Sequence, residues 1–190
     1  MKKLFLLMTF IINIYTINGQ TFSDVPVSGS LTSVITKFQA KGFRLHKVYD
    51  NTGAIVLGTH MGRPVEIIIT ATPKTKQVFK YTVYLSKHTT WIPLLNDYRS
   101  MVRALTSKYG ESTHEREEFL YPYDDGDSDG KEMTAVLVEK CQYMTAWLNK
   151  YQNNILVAIS EYAQVKIVYE NPILMDLHLK ETDEVNGRIF

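Results

Sequence analysis

Residues 78–110, VFKYTVYLSKHTTWIPLLNDYRSMVRALTSKYG, contain both periodicities from which this fold is built. Up to residue 86 the apolar side chains alternate, which is typical of a strand with one buried face. From Trp91 onward the apolar spacing changes to three and four residues, which predicts an amphipathic helix ending at Gly110. The change of period separates two runs of strands. The apolar stripe of the helix comprises Trp91, Leu94, Leu95, Tyr98, Met101, Val102, Leu105 and Tyr109.

The same helix-and-strand order continues on both sides of this stretch. A helix is predicted over residues 30–42, and a short amphipathic helix follows Pro172. The predicted strands cover residues 44–50, 54–60, 64–72 and 78–86 before the central helix, and 113–121, 133–148, 154–160 and 164–170 after it.

This order predicts an α+β fold, with antiparallel sheets and helices packed on one face. The halves are expected to be tandem α-β-β-β units with a C-terminal helix, and one or two strands remain open. Lys-Gly at 41–42 and Lys-Tyr-Gly at 108–110 follow the two helices at matching places, a weak internal repeat. It divides the single domain expected over residues 20–190 into halves 28–87 and 88–171.

Residues 1–19 have the composition of a secretory signal peptide. Lysines at 2–3 precede an apolar run over 4–12, and a polar exit follows at Asn18-Gly19. We expect cleavage near Gly19 and a secreted or periplasmic product. The run is too short for a membrane span, which needs about 20 apolar residues. Because the one cysteine, Cys141, is remote from the cleavage site, a lipid anchor is not expected.

The exported chain is close to electrically neutral. The full sequence carries 21 basic and 20 acidic residues, and loss of residues 1–19 removes two lysines, which leaves a net charge of −1. Nucleic acids and anionic membranes both require a concentrated basic face, so neither is expected as a partner. A single cysteine forms no internal disulfide, so stability must come from the core.

The segment 91–112, WIPLLNDYRSMVRALTSKYGES, resembles a pattern of small secreted proteins of gut bacteria. Those proteins pair a W-x-x-L-x-x-x-Y helix ending in KYG with Asp-rich hairpins. Their tandem helix-plus-meander order is similar to the β-lactamase-inhibitor-protein-like fold. The resemblance covers most of residues 20–190 in element order and a smaller part in residue pattern. It implies a layout, and it carries over no catalytic or binding residue.

The acidic segment YDDGDSDG, at 123–130, contains the first half of a calcium-binding loop. Asp125, Asp127 and Asp129 fit D-x-D-x-D-G, in which alternate carboxylates converge on one hard cation. Position twelve of the loop is Val136, where a bidentate Glu is required, and the flanks are predicted to be strands. Two interpretations stay open, a calcium-responsive module or a solvated acidic hairpin tip. Apart from this calcium hypothesis, no cofactor is expected.

Other residues capable of chemistry have simpler structural interpretations. The five histidines show no metal-ligand spacing, and no Cys/His pair occurs. Cys141 lies in a strand-like run, where a buried thiol behaves as a small hydrophobe. Glu115, Glu117 and Glu118 are expected to line a charged strand face. No catalytic residue is assigned, and a periplasmic hydrolase whose site is assembled from distant residues is kept as an alternative.

Aromatic residues provide the remaining candidate site. The sequence contains 12 tyrosines, and several fall in the predicted second sheet. Tyr and Trp provide large contact areas at low entropic cost, which suits interfaces. If helices cover one sheet face, Tyr121, Tyr143 and Trp147 are predicted to form a binding face on the other; packing within the core is the alternative. We therefore expect a secreted, non-catalytic domain that binds a protein, peptide or glycan.

Overall fold

The computed structural model describes residues 21–50, 52–124, 130–149 and 154–187; the predicted signal peptide lies outside them. The first half contains β1 (Thr21–Phe22), β2 (Val25–Pro26), α1 (Leu31–Ala40), β3 (Arg44–Tyr49), β4 (Gly53–His60), β5 (Arg63–Ala71) and β6 (Val78–Tyr84). The second half contains α2 (Trp91–Tyr109), β7 (His114–Phe119), α3 (Lys131–Leu137), β8 (Cys141–Trp147), β9 (Asn154–Ile159), β10 (Val165–Glu170) and α4 (Pro172–Asn186).

Eight of the strands form one antiparallel sheet in the order β3-β4-β5-β6-β10-β9-β8-β7. The four strands that follow α1 run in sequence from one edge to the centre. The four that follow α2 occupy the other side in reverse order, so β6 and β10 pair in the middle. The predicted α+β class, with its antiparallel sheet and C-terminal helix, is confirmed. The number of strands left open by the sequence is four from each half in this sheet, and β1 pairs with β2 in a separate two-stranded sheet.

Local sequence explains where the helices begin. The Ser30 hydroxyl caps α1 by accepting a hydrogen bond from the Ser33 backbone N–H at 3.3 Å. The chain leaves α1 through Gly42 at φ 87°, a left-handed conformation that glycine adopts without Cβ strain. At α4 the Asn171 side chain is the cap, and Pro172 occupies the first turn, where its missing N–H has no cost.

Helices α1 and α2 cover one face of the sheet and form the core with it. Phe38 of α1 meets the ring of Tyr81 on β6 edge-on, with centroids 5.2 Å apart, and Leu94 and Tyr98 of α2 are fully buried. Burying one large apolar side chain contributes about 1.5–3 kcal/mol, so this layer is the main source of stability. The strand residues beneath the helices include Val56, Ile67, Ile69, Val83, Val157 and Ile167.

The opposite side of the sheet, here called the open face, is formed by the strand residues between those in the core. Cross-strand pairing aligns one row of them from β4 through β5, β6 and β10 to β9, and all its members are half-buried. The side chains beneath α1 and α2 are instead buried. The row consists of Ile55, Ile68, Thr82, Val168 and Leu156.

The prediction of a single strand over residues 133–148 is wrong. The structure divides this segment into α3 and β8, with Glu139 at φ 60° in the turn between them. The consecutive residues Ala135 and Val136 are both buried. A strand with one buried face would expose one of the two, whereas a helix can bury both. A short apolar run fits either element, so periodicity could not distinguish them.

The C-terminal helix is longer than expected. Residues 183–190 are predicted to fray, but α4 continues to Asn186. Two contacts with the turn between β5 and β6 hold this end. Glu181 accepts hydrogen bonds from the turn, and Glu184 forms an ion pair with Lys74.

Candidate functional site

Tyr143 and Trp147 of β8 lie beneath α2 and not on the open face. The Tyr143 ring meets the Tyr98 ring edge-on with centroids 5.9 Å apart. The Trp147 indole N–H donates to the Gly110 carbonyl at the end of α2, at 2.8 Å. Thr145 has the same strand parity, and its hydroxyl lies 2.7 Å from the Tyr98 hydroxyl inside the core. The predicted assignment of these two aromatics to the open face is therefore wrong.

Tyr121, the third predicted member of that face, lies outside the sheet. It follows β7 in a turn, and 80% of its surface is exposed. The structure does not bring it together with Tyr143 and Trp147, because those two are covered by α2. The aromatic platform predicted from the sequence is thus divided between a loop and the core.

The predicted calcium ligands Asp125, Asp127 and Asp129 lie outside the described residues. The segment directly after them is α3, and not the predicted strand. Position twelve of the loop, Val136, is 1% exposed and packs in the core, so it offers no ligand. Within the described residues, no three His, Cys, Asp or Glu side chains cluster closely enough to hold a metal ion. Calcium binding stays a prediction.

The same segment contains two short sequence motifs that also occur in hydrolases. They are G-x-S-x-G, in GDSDG at 126–130, and S-x-x-K, in SDGK at 128–131. A nucleophile elbow requires a strand that runs directly into the serine and a helix behind it. Here β7 ends at Phe119, and turns occupy residues 121–124 before the pattern begins. Ser128 lies outside the described residues, so these patterns assign no catalytic serine.

Among the described residues, Ser23 and His60 form the nearest approach to a nucleophile and its base. The Ser23 hydroxyl oxygen lies 2.9 Å from Nδ1 of His60, and burial together with the nearby charge of Lys108 lowers the pKa of that histidine. The enclosed space beside them is only about 10 Å³, enough for about one water molecule. The contact therefore joins the β1–β2 turn to β4, and this geometry does not favour a hydrolase.

A second polar cluster connects α2 to the sheet. Both carboxylate oxygens of Asp97 are occupied, one by the guanidinium of Arg63 and the other by Nε2 of His88 at 2.9 Å. Arg63 begins β5, and His88 precedes α2, so three parts of the chain meet at this carboxylate. Because its oxygens already have partners, the cluster has a structural role.

A groove of about 370 Å³ opens on the open face, where β8, β9 and β10 lie side by side. Its volume falls within the range of small-ligand sites, about 300–1,000 Å³. Most of the lining is aliphatic. His114 lies on the edge strand β7, and Glu170 lies three strands away on β10. The groove is lined by His114, Met144, Ala146, Leu148, Asn154, Ile155, Leu156, Val168 and Glu170.

A second groove of about 290 Å³ lies across the first half of the open face. Leu57, Glu66 and Tyr84 align across β4, β5 and β6 at its floor, and Gln164 borders it. Burial raises the pKa of the Tyr84 hydroxyl, and the nearby Glu161, Tyr162 and Glu66 raise it further. The Tyr84 hydroxyl is thus a neutral group on the open face that is able to donate and accept a hydrogen bond.

The residues of these grooves were not identified from the sequence. Tyr84 has a signal there, because Phe79, Tyr81, Val83 and Leu85 are predicted to share one face and Tyr84 alternates with them. Met144, Leu156 and Glu170 have no such signal, because their proximity depends on how three strands are paired.

Comparison of the chain with family models, curated proteins and solved structures finds no match. Among the described helices, none has both the length and the hydropathy for a bilayer span.

Proposed function

We propose that this protein is a secreted, non-catalytic binding protein that holds a protein, peptide or glycan on the open face of its sheet. The charged, apolar and polar order of residues 1–19 supports export. The single observation that carries the binding proposal is this row of half-buried side chains, four of the five aliphatic, with a groove beside it. Concentrated apolar surface on a folded domain marks interaction sites.

The charge distribution around the open face also supports a macromolecular partner. Interfaces commonly have an apolar centre and a polar rim. Arg44 and Lys47 of the edge strand β3 pair with open-face residues of β4. On the opposite edge, Arg116 and Glu118 of β7 form an ion pair. The aliphatic centre favours a protein or peptide over a glycan, because a glycan brings mainly hydroxyl groups, which apolar side chains leave unsatisfied.

A charge placed in the centre of the open face tests the proposal. Val168→Arg puts a guanidinium in the apolar row, while Ile92→Arg places the same group on α2, where the side chain is already 62% exposed. Proteins of the extracellular medium are cross-linked to each variant and quantified. Val168→Arg should lose the wild-type partners and Ile92→Arg should keep them, with both thermal unfolding curves retained. Equal partner recovery by Val168→Arg and the wild type would refute the use of this face.

A further inference from the structure

We propose that the groove between β8, β9 and β10 binds a partner peptide in which a large apolar side chain stands beside a lysine or arginine. The apolar side chain would enter the groove, and the cation would meet the Glu170 carboxylate. This inference rests on the proposed function, since it specifies what the open face recognises.

The groove exists because a small residue lies among larger ones. The strand register aligns Val168, Leu156, Ala146 and His114 across β10, β9, β8 and β7. Ala146 contributes only a methyl group, so the floor is lowered between the side chains of Leu156 and His114. Met144 lies two residues before Ala146 on β8, and its exposed side chain borders the same groove. An unbranched thioether adapts to different apolar groups, which suits a docking site for a side chain.

The size of the groove sets the size of the group that it accepts. Its volume of about 370 Å³ lies near the lower end of the range for small-ligand sites, about 300–1,000 Å³. That space is larger than an ion needs and suits one large side chain with part of its backbone. Transfer of this side chain from water would contribute in proportion to its buried apolar area, about 25 cal/mol per Å².

Glu170 supplies the preference for a cation. On the open face its cross-strand neighbours are Lys80 of β6 and Asn154 of β9. The Lys80 ammonium lies 5.5 Å from the centre of the Phe79 ring, and the Asn154 side chain accepts a hydrogen bond from the backbone of Asn149. Within the described ranges the Glu170 carboxylate forms neither an ion pair nor a hydrogen bond.

An unpaired carboxylate beside aliphatic side chains discriminates by charge. A lysine or arginine placed there gains a charge-assisted hydrogen bond, and the surrounding apolar groups reduce the screening of that interaction by water. A partner acid at the same place would meet a like charge. Lys80 is the competing cation of this face, so its removal should leave Glu170 more available to the peptide.

Two capped heptapeptides test the inference, one with three leucines around a central lysine and a twin with glutamate in its place. Methyl NMR titration of the full mature chain follows Met144, Leu156 and Val168. The lysine peptide should shift these methyl signals and bind about tenfold more tightly than its twin, which is a reasonable magnitude for one charge-assisted hydrogen bond. Glu170→Gln should reduce the ratio of the two peptide affinities from about ten to between about one and about three. Lys80→Met should tighten binding of the lysine peptide.

Three outcomes would overturn the inference. Equal affinities of the two peptides for the wild type would remove the role of Glu170. Shifts confined to residues outside the groove would move the site. Binding of n-hexylammonium as tight as the lysine peptide would indicate a small amphiphile and not a peptide. The open-face proposal fails separately, when Val168→Arg keeps all cross-linked partners. If that variant loses its partners while the two peptides bind alike, only the cation preference is wrong.

Discussion

Substitution of Glu181 tests how α4 is fixed to the sheet. The residue is 4% exposed, and its carboxylate accepts three hydrogen bonds from the turn between β5 and β6. The donors are the backbone N–H of Lys74 at 2.6 Å, the backbone N–H of Thr75 at 3.1 Å and the Thr75 hydroxyl at 2.6 Å. Glu181→Ala removes every acceptor from these donors, whereas Glu181→Gln removes the charge and keeps one acceptor oxygen.

The hydrogen bonds set the magnitude of the effect. A hydrogen bond to a charged group contributes about 1.5–3 kcal/mol, and a buried donor left without a partner costs about 1–3 kcal/mol. The three bonds share one carboxylate, and water can enter a surface turn, so their sum overestimates the loss. We expect Glu181→Ala to lower the free energy of unfolding by about 3 kcal/mol, and Glu181→Gln by about 1 kcal/mol.

The dependence on pH separates charge from packing. Burial alone would raise the pKa of Glu181, but the hydrogen bonds from Thr75 and Lys74, together with the nearby Thr72 hydroxyl, outweigh it and hold that pKa below its ordinary value. A carboxyl with a lower pKa in the folded chain stabilises the fold above the unfolded pKa of about 4.3. That contribution is lost as the pH falls through the folded pKa. The difference in the free energy of unfolding between wild type and Glu181→Gln should therefore have its full value at pH 7 and shrink below about pH 4.

Urea unfolding at pH 7 and at pH 3.5, followed by the fluorescence of Trp91 and Trp147, measures these differences. Glu184→Gln is the matched control, because Glu184 lies on the same helix and meets the same turn at an exposed position. It should change the free energy of unfolding by less than about 0.5 kcal/mol. Unchanged stability of Glu181→Ala at pH 7 would refute the reasoning, as would a Glu181→Gln difference that stays constant with pH.

Three further outcomes follow from close contacts in the core. Gly58→Ala should lower the free energy of unfolding by about 2 kcal/mol, because its Cβ would lie 2.4 Å from Cδ1 of Phe43; an unchanged melting temperature would contradict this. Native Cys141 should react slowly with a disulfide reagent at pH 8, because burial raises its pKa to about 12 and the thiolate is the reactive form; labelling as fast as in urea would contradict this. Tyr98→Phe should cost about 1–2 kcal/mol, because the buried Thr145 hydroxyl loses its partner, and adding Thr145→Val should recover part of the loss; purely additive effects would contradict the contact.

Elements with a sustained period could be predicted from the sequence. The stripe from Leu94 to Leu105 located α2, because helical period is a local property of the sequence. Alternation in β6 also identified its buried side, where Tyr81 and Val83 pack. The prediction of one strand over residues 133–148 was wrong because four consecutive apolar residues, 135–138, fit a helix or a strand equally well.

The candidate site could not be predicted from local sequence patterns, for a different reason. Alternation shows that Tyr143 and Trp147 share a face, but not which face α2 covers. That choice depends on the register of β8 with β9, and a shift of one residue exchanges the two faces. The groove depends in addition on Ala146 meeting Leu156 across strands, a pairing between residues ten positions apart. Residue type alone gives no sign of this hollow.

The position of β10 at the centre of the sheet has a consequence for how the chain folds. Among the described strands β10 is the last to be synthesised, and it forms the sheet pairing between β6 and β9, so β7, β8 and β9 have no strand pairing with β3–β6 until residues 165–170 arrive. Contacts such as Val83 with Ile167 close a long loop and form slowly. Until then both β6 and β9 are unpaired edges, and such edges are prone to aggregate. Synthesis from the N-terminus therefore delivers the strand that joins the two halves of this sheet only after the other seven.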